Sequence, residues 1–351
     1  MKLAILGDTH LGCRNDLTVF HEHFAKFYDY FFSTLEQQKI TTVIQLGDLW
    51  DRRKHVNFNT LSQSRKYFFD RLRDRGIDMI TLVGNHDIYW RESVQVNASD
   101  LLLRDYANIT VCNQPHTYMF GATSAASIDV IPWICSENID DVTKFINNSK
   151  SDLCVGHFEI ANFAMYKGME SHAGLDPTMF AKYELVCSGH YHTRSTKDNI
   201  TYVGTPYEMT WQDFNDPKGF HIFDTSTRKL EFWENPNKVF IQLNYDNTDV
   251  EQLAPLDLNN CFVKVVVVNK SDLYKFDQYI QKLYSKGCYE IKIVEDMSEF
   301  SDGEIGEEID LEDTMDVLSH YIDSIETDAD KEKIKAFMKG LYVEAINLEV
   351  V

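Results

Sequence analysis

Seven short apolar runs mark the first two-thirds of the chain: KLAILG, TTVIQLG, DMITLVG, SIDVIPW, DLCVG, ELVCSG and ITYVG. Each has the length and composition of a strand. Between the first two, Leu17, Phe20, Phe24, Phe27, Phe31 and Leu35 recur at steps of three and four, the apolar stripe of an amphipathic helix. A second helix is predicted over 59–75, ending near Gly76. Strands alternating with helices predict an α/β layered domain.

The pattern changes at WENPNKVF, residues 233–240. Beyond it, CFVKVVVV, the helical SDLYKFDQYIQKLYSKG and then YEIKIVED predict a small β-α-β unit, expected to stand apart as a cap. Residues 295–313 are acidic and poor in apolar groups, which predicts a flexible linker. Helical periodicity returns in Ile334, Phe337, Met338, Leu341, Tyr342, Ala345 and Leu348. That stripe must be buried, either on its own body or on the helices of a partner. The expected division is therefore 1–232, 233–294, 295–313 and 314–351.

A chain of 351 residues is long for one core and suggests two or three units. No run approaches the ~18 apolar residues of a membrane span, so no membrane association is expected. MKLAILGDTH reads as a first strand rather than a signal peptide, because its apolar stretch is short and Asp8 follows at once. Seven cysteines, an odd number with no Cys-x-x-Cys, argue against a disulfide framework or a thiolate zinc site and predict a reduced, cytoplasmic setting. The net charge of −21 argues against nucleic acid, but 18 acidic and only 4 basic side chains lie from Glu295 onward. The remainder is only mildly acidic, and bound cations can supply local positive charge.

The candidate chemistry lies in a repeat of apolar strand, glycine, then a polar donor. It occurs at Gly7-Asp8, Gly47-Asp48, Gly84-Asn85, Gly156-His157 and Gly189-His190. If those strands lie side by side, their carboxyl ends form one rim, where open α/β sheets place their sites. His10 and His192 join from the flanking turns, and a pair spaced like His190 and His192 points to one side at a strand end. Seven donors are too many for one tetrahedral ion and suit two metals, one carboxylate shared between them, in an arrangement fitted to attack at phosphorus. Aspartate, asparagine and imidazole favour manganese, iron or zinc over calcium. The alternative, a buried polar network without ions, must find a partner for every group.

GDTHLG, GDLWD, GNHD, GHFE and GHYH, in this order, resemble the metal-dependent calcineurin-like phosphoesterases. Within them, DVIPWI at 129–134 and YVGTPYEMTWQDFNDPKGFHIFD at 202–224 resemble the nuclease subunit of the SbcCD type of DNA break-repair complex, in its phage recombination form. The likeness covers the first 224 residues well and the rest more loosely. It implies a four-layer β-sandwich core flanked by helices, a small α/β cap that binds DNA, and a C-terminal helical segment. By the same resemblance one metal is held by Asp8, His10, Asp48 and His192, and the other by Asp48, Asn85, His157 and His190. Asp48 is then the bridge, and His86 is not a ligand but faces the phosphate and helps protonate the departing oxygen. Some relatives carry a second catalytic histidine three residues after the bridging aspartate. Here Asp51 stands there, either orienting His86 or another ligand or serving as an ordinary helix-cap or ion-pair residue.

Arg14, Arg52, Arg53, Lys54 and Arg91 lie just beyond the motifs, where they can meet a DNA backbone or simply be solvated. Trp50, Tyr89, Trp90, Tyr191 and Trp211 can brace nucleotides or pack in the core. His21, His23, His55, His116, His172, His221 and His320 carry no motif. The leading expectation is a manganese-dependent exonuclease on duplex and endonuclease on single-stranded DNA, magnesium and iron being the other metals considered. It is expected to be a homodimer in the host cytoplasm, docked through its terminal helices on an SMC-like ATPase with long coiled coils. The alternatives are a phosphomonoesterase or cyclic-nucleotide phosphodiesterase on the same scaffold, and a non-catalytic relic. GNHD, the DRR after Trp50, and the cap weigh against a protein phosphatase, and the complete donor set weighs against a relic.

Overall fold

A computed structural model describes residues 1–121, 126–166, 169–171 and 174–295, with residues 331, 333 and 335. The chain divides into two compact units, Met1–Glu295 and Asp296–Val351. Of the linker expected at 295–313, Glu295 ends a strand of the first unit, and the remainder, like the stripe from Ile334 to Leu348, lies outside the described residues, so the architecture below is that of the first unit.

The first unit opens with β1 (Lys2–Leu6), the tight turn α1 (Cys13–Asp16), α2 (Thr18–Gln38) and β2 (Thr42–Gln45). It continues through α3 (Phe58–Ser64), α4 (Asp70–Asp74), β3 (Asp78–Leu82), α5 (Ala98–Leu103) and β4 (Ile109–Cys112). The second half begins with β5 (His116–Phe120), β6 (Ala126–Ile131), α6 (Ile139–Asn148), β7 (Leu153–His157) and the hairpin β8 (Phe163–Tyr166) to β9 (Met169–Ser171). Next come β10 (Leu185–Gly189), β11 (Ser195–Lys197), β12 (Ile200–Tyr202), β13 (Gly219–Asp224) and β14 (Lys229–Glu234). The last elements are β15 (Phe240–Asp246), β16 (Phe262–Asn269), α7 (Leu273–Ser285) and β17 (Glu290–Glu295).

Two six-stranded sheets form the body, in the orders β14-β13-β1-β2-β3-β4 and β11-β12-β10-β7-β6-β5. Alternation along each strand makes the layers. Leu3 and Ile5 of β1, Ile44 of β2 and Leu82 of β3 pack against Ile128, Val130, Leu153, Val155 and Cys187 of the other sheet. The intervening Ala4, Leu6, Val43 and Met79 face outward to the aromatic stripe of α2. On the other side Cys154, Val186 and Tyr202 meet Val142 and Ile146 of α6. Both faces of both sheets are covered, so the strands read as nearly continuous apolar runs. This is a four-layer α/β sandwich.

The motif strands do not lie in one sheet. β1, β2 and β3 are neighbours in the first and β7 and β10 in the second, because the antiparallel β5–β6 pair starts the other sheet after β4. The rim is built from two facing sheets, a correction to the single rim expected from the sequence. The helix predicted over 59–75 begins at Phe58 behind the Asn57 side-chain cap. A π-helical turn, Arg65–Phe69, separates its two halves and buries Tyr67, Phe68 and Phe69 together.

The C-terminal part of the unit is a parallel three-stranded sheet, β15-β16-β17, around a core of Tyr245, Val263, Val265, Tyr279 and Leu283. β15 adds a strand beyond the predicted β-α-β. Phe240 and Phe262 reach into the core cluster of α2 beside Phe20, and Glu208 accepts hydrogen bonds from the backbone of Val239 and Phe240 at 2.7 and 2.9 Å. Among the described residues no helix is long and apolar enough to cross a membrane. All seven cysteines are free.

Candidate metal centre

Asp8 and His10 follow β1, Asp48 follows β2, Asn85 follows β3, His157 closes β7, and His190 and His192 follow β10. All seven meet at one end of the sandwich. Two of the motif glycines are required there by space. A Cβ on Gly84 would stand 2.3 Å from Asp48 Oδ1, and one on Gly189 would stand 2.5 Å from Asp8 Oδ1. His10, Asp48 and His190 take positive φ of 39°, 48° and 88°, backbone strain of a kind that collects at functional sites. β10 therefore ends at Gly189, and His190 and His192 do not share a strand face, contrary to the simplest reading of their spacing.

The pair instead serves two groups. Asp8, His10 and His192 offer ligand atoms within 4.8 Å of one another, and Asp48, His157 and His190 form a second such group. His10 Nε2 faces His192 Nε2 at 3.1 Å. His157 Nε2 and His190 Nδ1 converge on Asn85 Oδ1 at 2.9 and 3.0 Å. Asp48 Oδ2 stands between the groups, 3.8 Å from His10 Nε2 and 3.4 Å from His157 Nε2. Ligands bound at about 2.1 Å to one octahedral ion lie about 3 Å apart, so donors at 2.9–3.1 Å are spaced as ligands of one ion would be.

Hydrogen bonding fixes the ring orientations. His157 Nδ1–H donates to the Leu46 carbonyl at 2.7 Å, which turns the Nε2 lone pair toward Asp48 Oδ2. A lone pair aimed at a carboxylate calls for a proton or a cation between them. Burial opposes charge on His157, yet Asp48 and Asp8 hold its pKa up at about 9. Burial likewise opposes charge on His10, where Asp51, Asp48 and Asp8 prevail and hold the value at about 9. Burial and the neighbouring His10 press His192 well down. Burial raises Asp8 to about 6, whereas His157, His86 and His10 overcome burial and keep Asp48 well below the usual carboxylate range. Imidazoles facing buried carboxylates call for positive charge between them, and the all-nitrogen-and-oxygen donor set fits divalent ions.

His86 is oriented separately. Its backbone N–H donates to Asp48 Oδ1 at 2.7 Å and its Nδ1–H to the Asp51 carbonyl at 2.6 Å, leaving Nε2 for the adjoining 320 Å³ cavity. Burial lowers its pKa while Asp48 acts the other way. The Asp51 side chain lies 3.4 Å from His10 Nδ1, so this residue supports two histidines at once.

Two supporting groups were not singled out from the sequence. Asp87, fully buried, accepts from Gly84 N–H at 2.8 Å and Trp50 N–H at 3.1 Å, joining the second and third motif loops. Lys218, also buried, donates to the His192 carbonyl at 2.9 Å and pairs with Asp213 and Asp216 at 2.7 and 2.8 Å. Asp213 in turn accepts from the Met209 and Thr210 amides, both at 2.9 Å, so this triad ties the loop beside the cavity to a candidate ligand.

The calcineurin-like phosphoesterase profile matches residues 1–194, the stretch that carries every one of the seven donors. The chain belongs to the calcineurin-like phosphoesterase family. Exonuclease subunit 1 of Enterobacteria phage T4 is 34% identical over 348 residues, 98% of this chain and 99% of its own. Putative phosphoesterase 078R of Invertebrate iridescent virus 3 is 25% identical over 215 residues, 58% of this chain and 57% of its own. Family members use divalent metals, in keeping with the two donor groups.

Around this phosphoesterase centre the secondary candidates divide. Trp50 is fully buried against Phe69 and does not line the catalytic cavity, whereas Tyr191, though buried, forms part of its wall. Trp211 packs on Phe240, while Tyr89 and Trp90 are exposed. Arg14 is exposed at the cavity rim, and Lys54 is exposed. Arg52 is engaged by Asp16 and Asn15. Arg53 and Arg91 line a second cavity beside Asn85. His21 and His23 lie on α2, His116 on β5 and His221 on β13, and His55 sits beside Arg52. His172 and His320 lie outside the described residues.

Proposed function

We propose that this phosphoesterase is a metal-dependent DNA nuclease, hydrolysing phosphodiester bonds at a centre of two divalent ions. What carries this reading is a pair of donor groups sharing one cavity with His86, in a chain whose likeness to a phage exonuclease subunit runs its full length. Asp8, His10 and His192 would hold one ion and Asn85, His157 and His190 the other, with Asp48 common to both. The position of Asp48 Oδ2 between the two groups supports that sharing. Bound there, the cations supply Lewis-acid polarisation of the phosphoryl group.

The chain's own part is orientation and proton transfer. The Leu46 carbonyl sets the His157 tautomer, Asp51 sets His10 and His86, and Lys218 fixes the turn that carries His192. His86, with Nδ1–H held by the Asp51 carbonyl, presents Nε2 toward the phosphate; Nε2 first takes up a proton, from solvent or the attacking water, and the ring then stabilises the developing charge and passes that proton to the departing oxygen. Manganese is the metal we assign, with duplex ends and single-stranded DNA as substrates. The protein works as a homodimer with an SMC-like ATPase that the 314–351 segment engages, in the reduced cytoplasm of a host cell.

Cleavage of end-labelled linear duplex with manganese tests the reading, with Asp48→Ala and His86→Ala alongside. We expect Asp48→Ala to lose both metal binding and cleavage. His86→Ala should bind two ions while its turnover falls about 10²- to 10⁴-fold, the range of acid–base assistance. Metal-dependent phosphate release from small monoesters, with duplex untouched, would instead make the protein a phosphomonoesterase.

A further inference from the structure

Beside the metal centre, on the Asn85 side, lies a separate cavity of 280 Å³. Its lining includes Arg53, Arg91, Glu92 and Trp133, and it shares Asn85 with the catalytic cavity. Arg53 is anchored by its Nε–H, which donates to the Asn85 carbonyl at 2.7 Å, so its terminal amines are held next to a candidate ligand. Trp133 closes the inner wall, its ring 5.2 Å from His190 and 5.8 Å from His157.

The charge in this cavity is unbalanced. Arg53 and Arg91 line the same 280 Å³ space, so two guanidiniums share one small cavity. Among the described residues neither has a carboxylate partner, and Glu92, the acid in the lining, accepts a hydrogen bond from Ser136 instead. Compare Arg73 on the outer surface, which is neutralised by Asp70 and Asp74. Two guanidiniums against one carboxylate already engaged by a hydroxyl leave a positive excess suited to an anion with several oxygens. Pockets for whole small molecules begin at about 300 Å³, so this one takes a phosphate with part of a sugar rather than a complete nucleotide.

We propose that Arg53 and Arg91 form a subsite for a second backbone phosphate, that of the nucleotide next to the scissile bond. The inference rests on the nuclease reading. The subsite selects polynucleotides over isolated phosphate esters, because the second phosphate is gripped only when the substrate extends past the metal centre. Trp133 limits depth, so the strand passes over the subsite and is not swallowed by it.

The test is binding of a fluorescein-labelled single-stranded octanucleotide, followed by anisotropy across a potassium chloride series, with calcium present in place of a cleavage-competent metal. Wild type is compared with Arg53→Ala, Arg91→Ala and the remote control Arg73→Ala. Loss of one phosphate contact should weaken binding severalfold at low salt and reduce the slope of log affinity against log salt by about 0.7. We expect that change in each cavity variant and none in Arg73→Ala. Wild-type binding with equal slopes in all four proteins would overturn the subsite and leave the nuclease reading standing. No oligonucleotide binding by wild type would sink both. A second readout uses p-nitrophenyl esters of thymidine phosphate with and without a second phosphate on the sugar. Wild type should prefer the doubly phosphorylated ester by about tenfold in kcat/KM, a range accessible to one charge-assisted contact, and Arg91→Ala should lose most of that preference. A preference that survives in Arg91→Ala would overturn the proposal.

Discussion

Lys218 shows how much of the centre depends on groups that never touch a metal. Its ammonium is buried with two carboxylates and the His192 carbonyl. Lys218→Met would leave Asp213 and Asp216 facing each other without a counter-charge, a loss on the order of 3–5 kcal/mol for a broken buried pair. Urea unfolding should show that loss, and calorimetry should show weaker metal binding with it; an unchanged midpoint would mean the triad contributes nothing. His221 makes a separate prediction. Burial and then Arg194 depress its pKa to about 3, well below an unfolded value of about 6.5. The unfolded chain therefore binds the extra proton first. The contribution of His221 is complete above pH 6.5 and is lost as the pH falls toward 3, at up to about 1.4 kcal/mol per pH unit. His221→Phe, which keeps a ring against Phe232, should flatten that part of the acid stability profile by one proton. A profile identical to wild type would show that His221 is not protonated on unfolding.

At this scale the sequence was legible where chemistry is local. Each of Asp8, Asp48, Asn85, His157 and His190 follows its strand and glycine directly, so five donors could be placed without knowing a single contact. Asp87 and Lys218 could not, since their roles depend on amides and carbonyls far along the chain. The signals were present, as the final Asp of GNHD and the Lys of DPKG, but nothing in their spacing points to a partner. Trp50 went the other way: an aromatic beside a motif looked able to reach substrate, and close packing of the loop on Phe69 buried it.

Among the elements, α2 carries the sandwich. Phe24, Phe27 and Phe31 are fully buried on it, and Phe27 meets Tyr28, Phe31, Tyr207 and Phe220. Tyr207 donates to the Thr9 carbonyl between Asp8 and His10, so the helix core and the first candidate-ligand loop share a side chain. Phe27→Ala should cost about 3–5 kcal/mol, the range for a large aromatic removed from a core, seen as a lowered Tm. A shift of less than a degree would contradict that packing. The helical period of this element was plain from the sequence. The pairing of motif strands was not, because strand order depends on how far a connection crosses. The same applies to the π-turn in the 58–74 helix, where the inserted residue lets three consecutive aromatics share burial.

Over the whole molecule, charge and site are separated. Most of the net −21 lies from Asp296 onward, in the unit that does not hold the donors, so the donor-bearing unit would repel a nucleic acid much less than the total suggests. On the proposed reading the C-terminal segment meets the ATPase. Removing residues 314–351 should then abolish co-elution with an SMC-like ATPase while manganese-dependent hydrolysis of a small diester persists. Co-elution of the truncated chain would place the contact elsewhere.

The most direct measurement of the central claim is a manganese titration of chelator-stripped protein against end-labelled linear duplex, with bound metal counted in parallel. We predict no cleavage without metal and full activity as two ions bind per chain. Cleavage that persists in chelator, or duplex left intact at saturating metal while small monoesters lose phosphate, would contradict it.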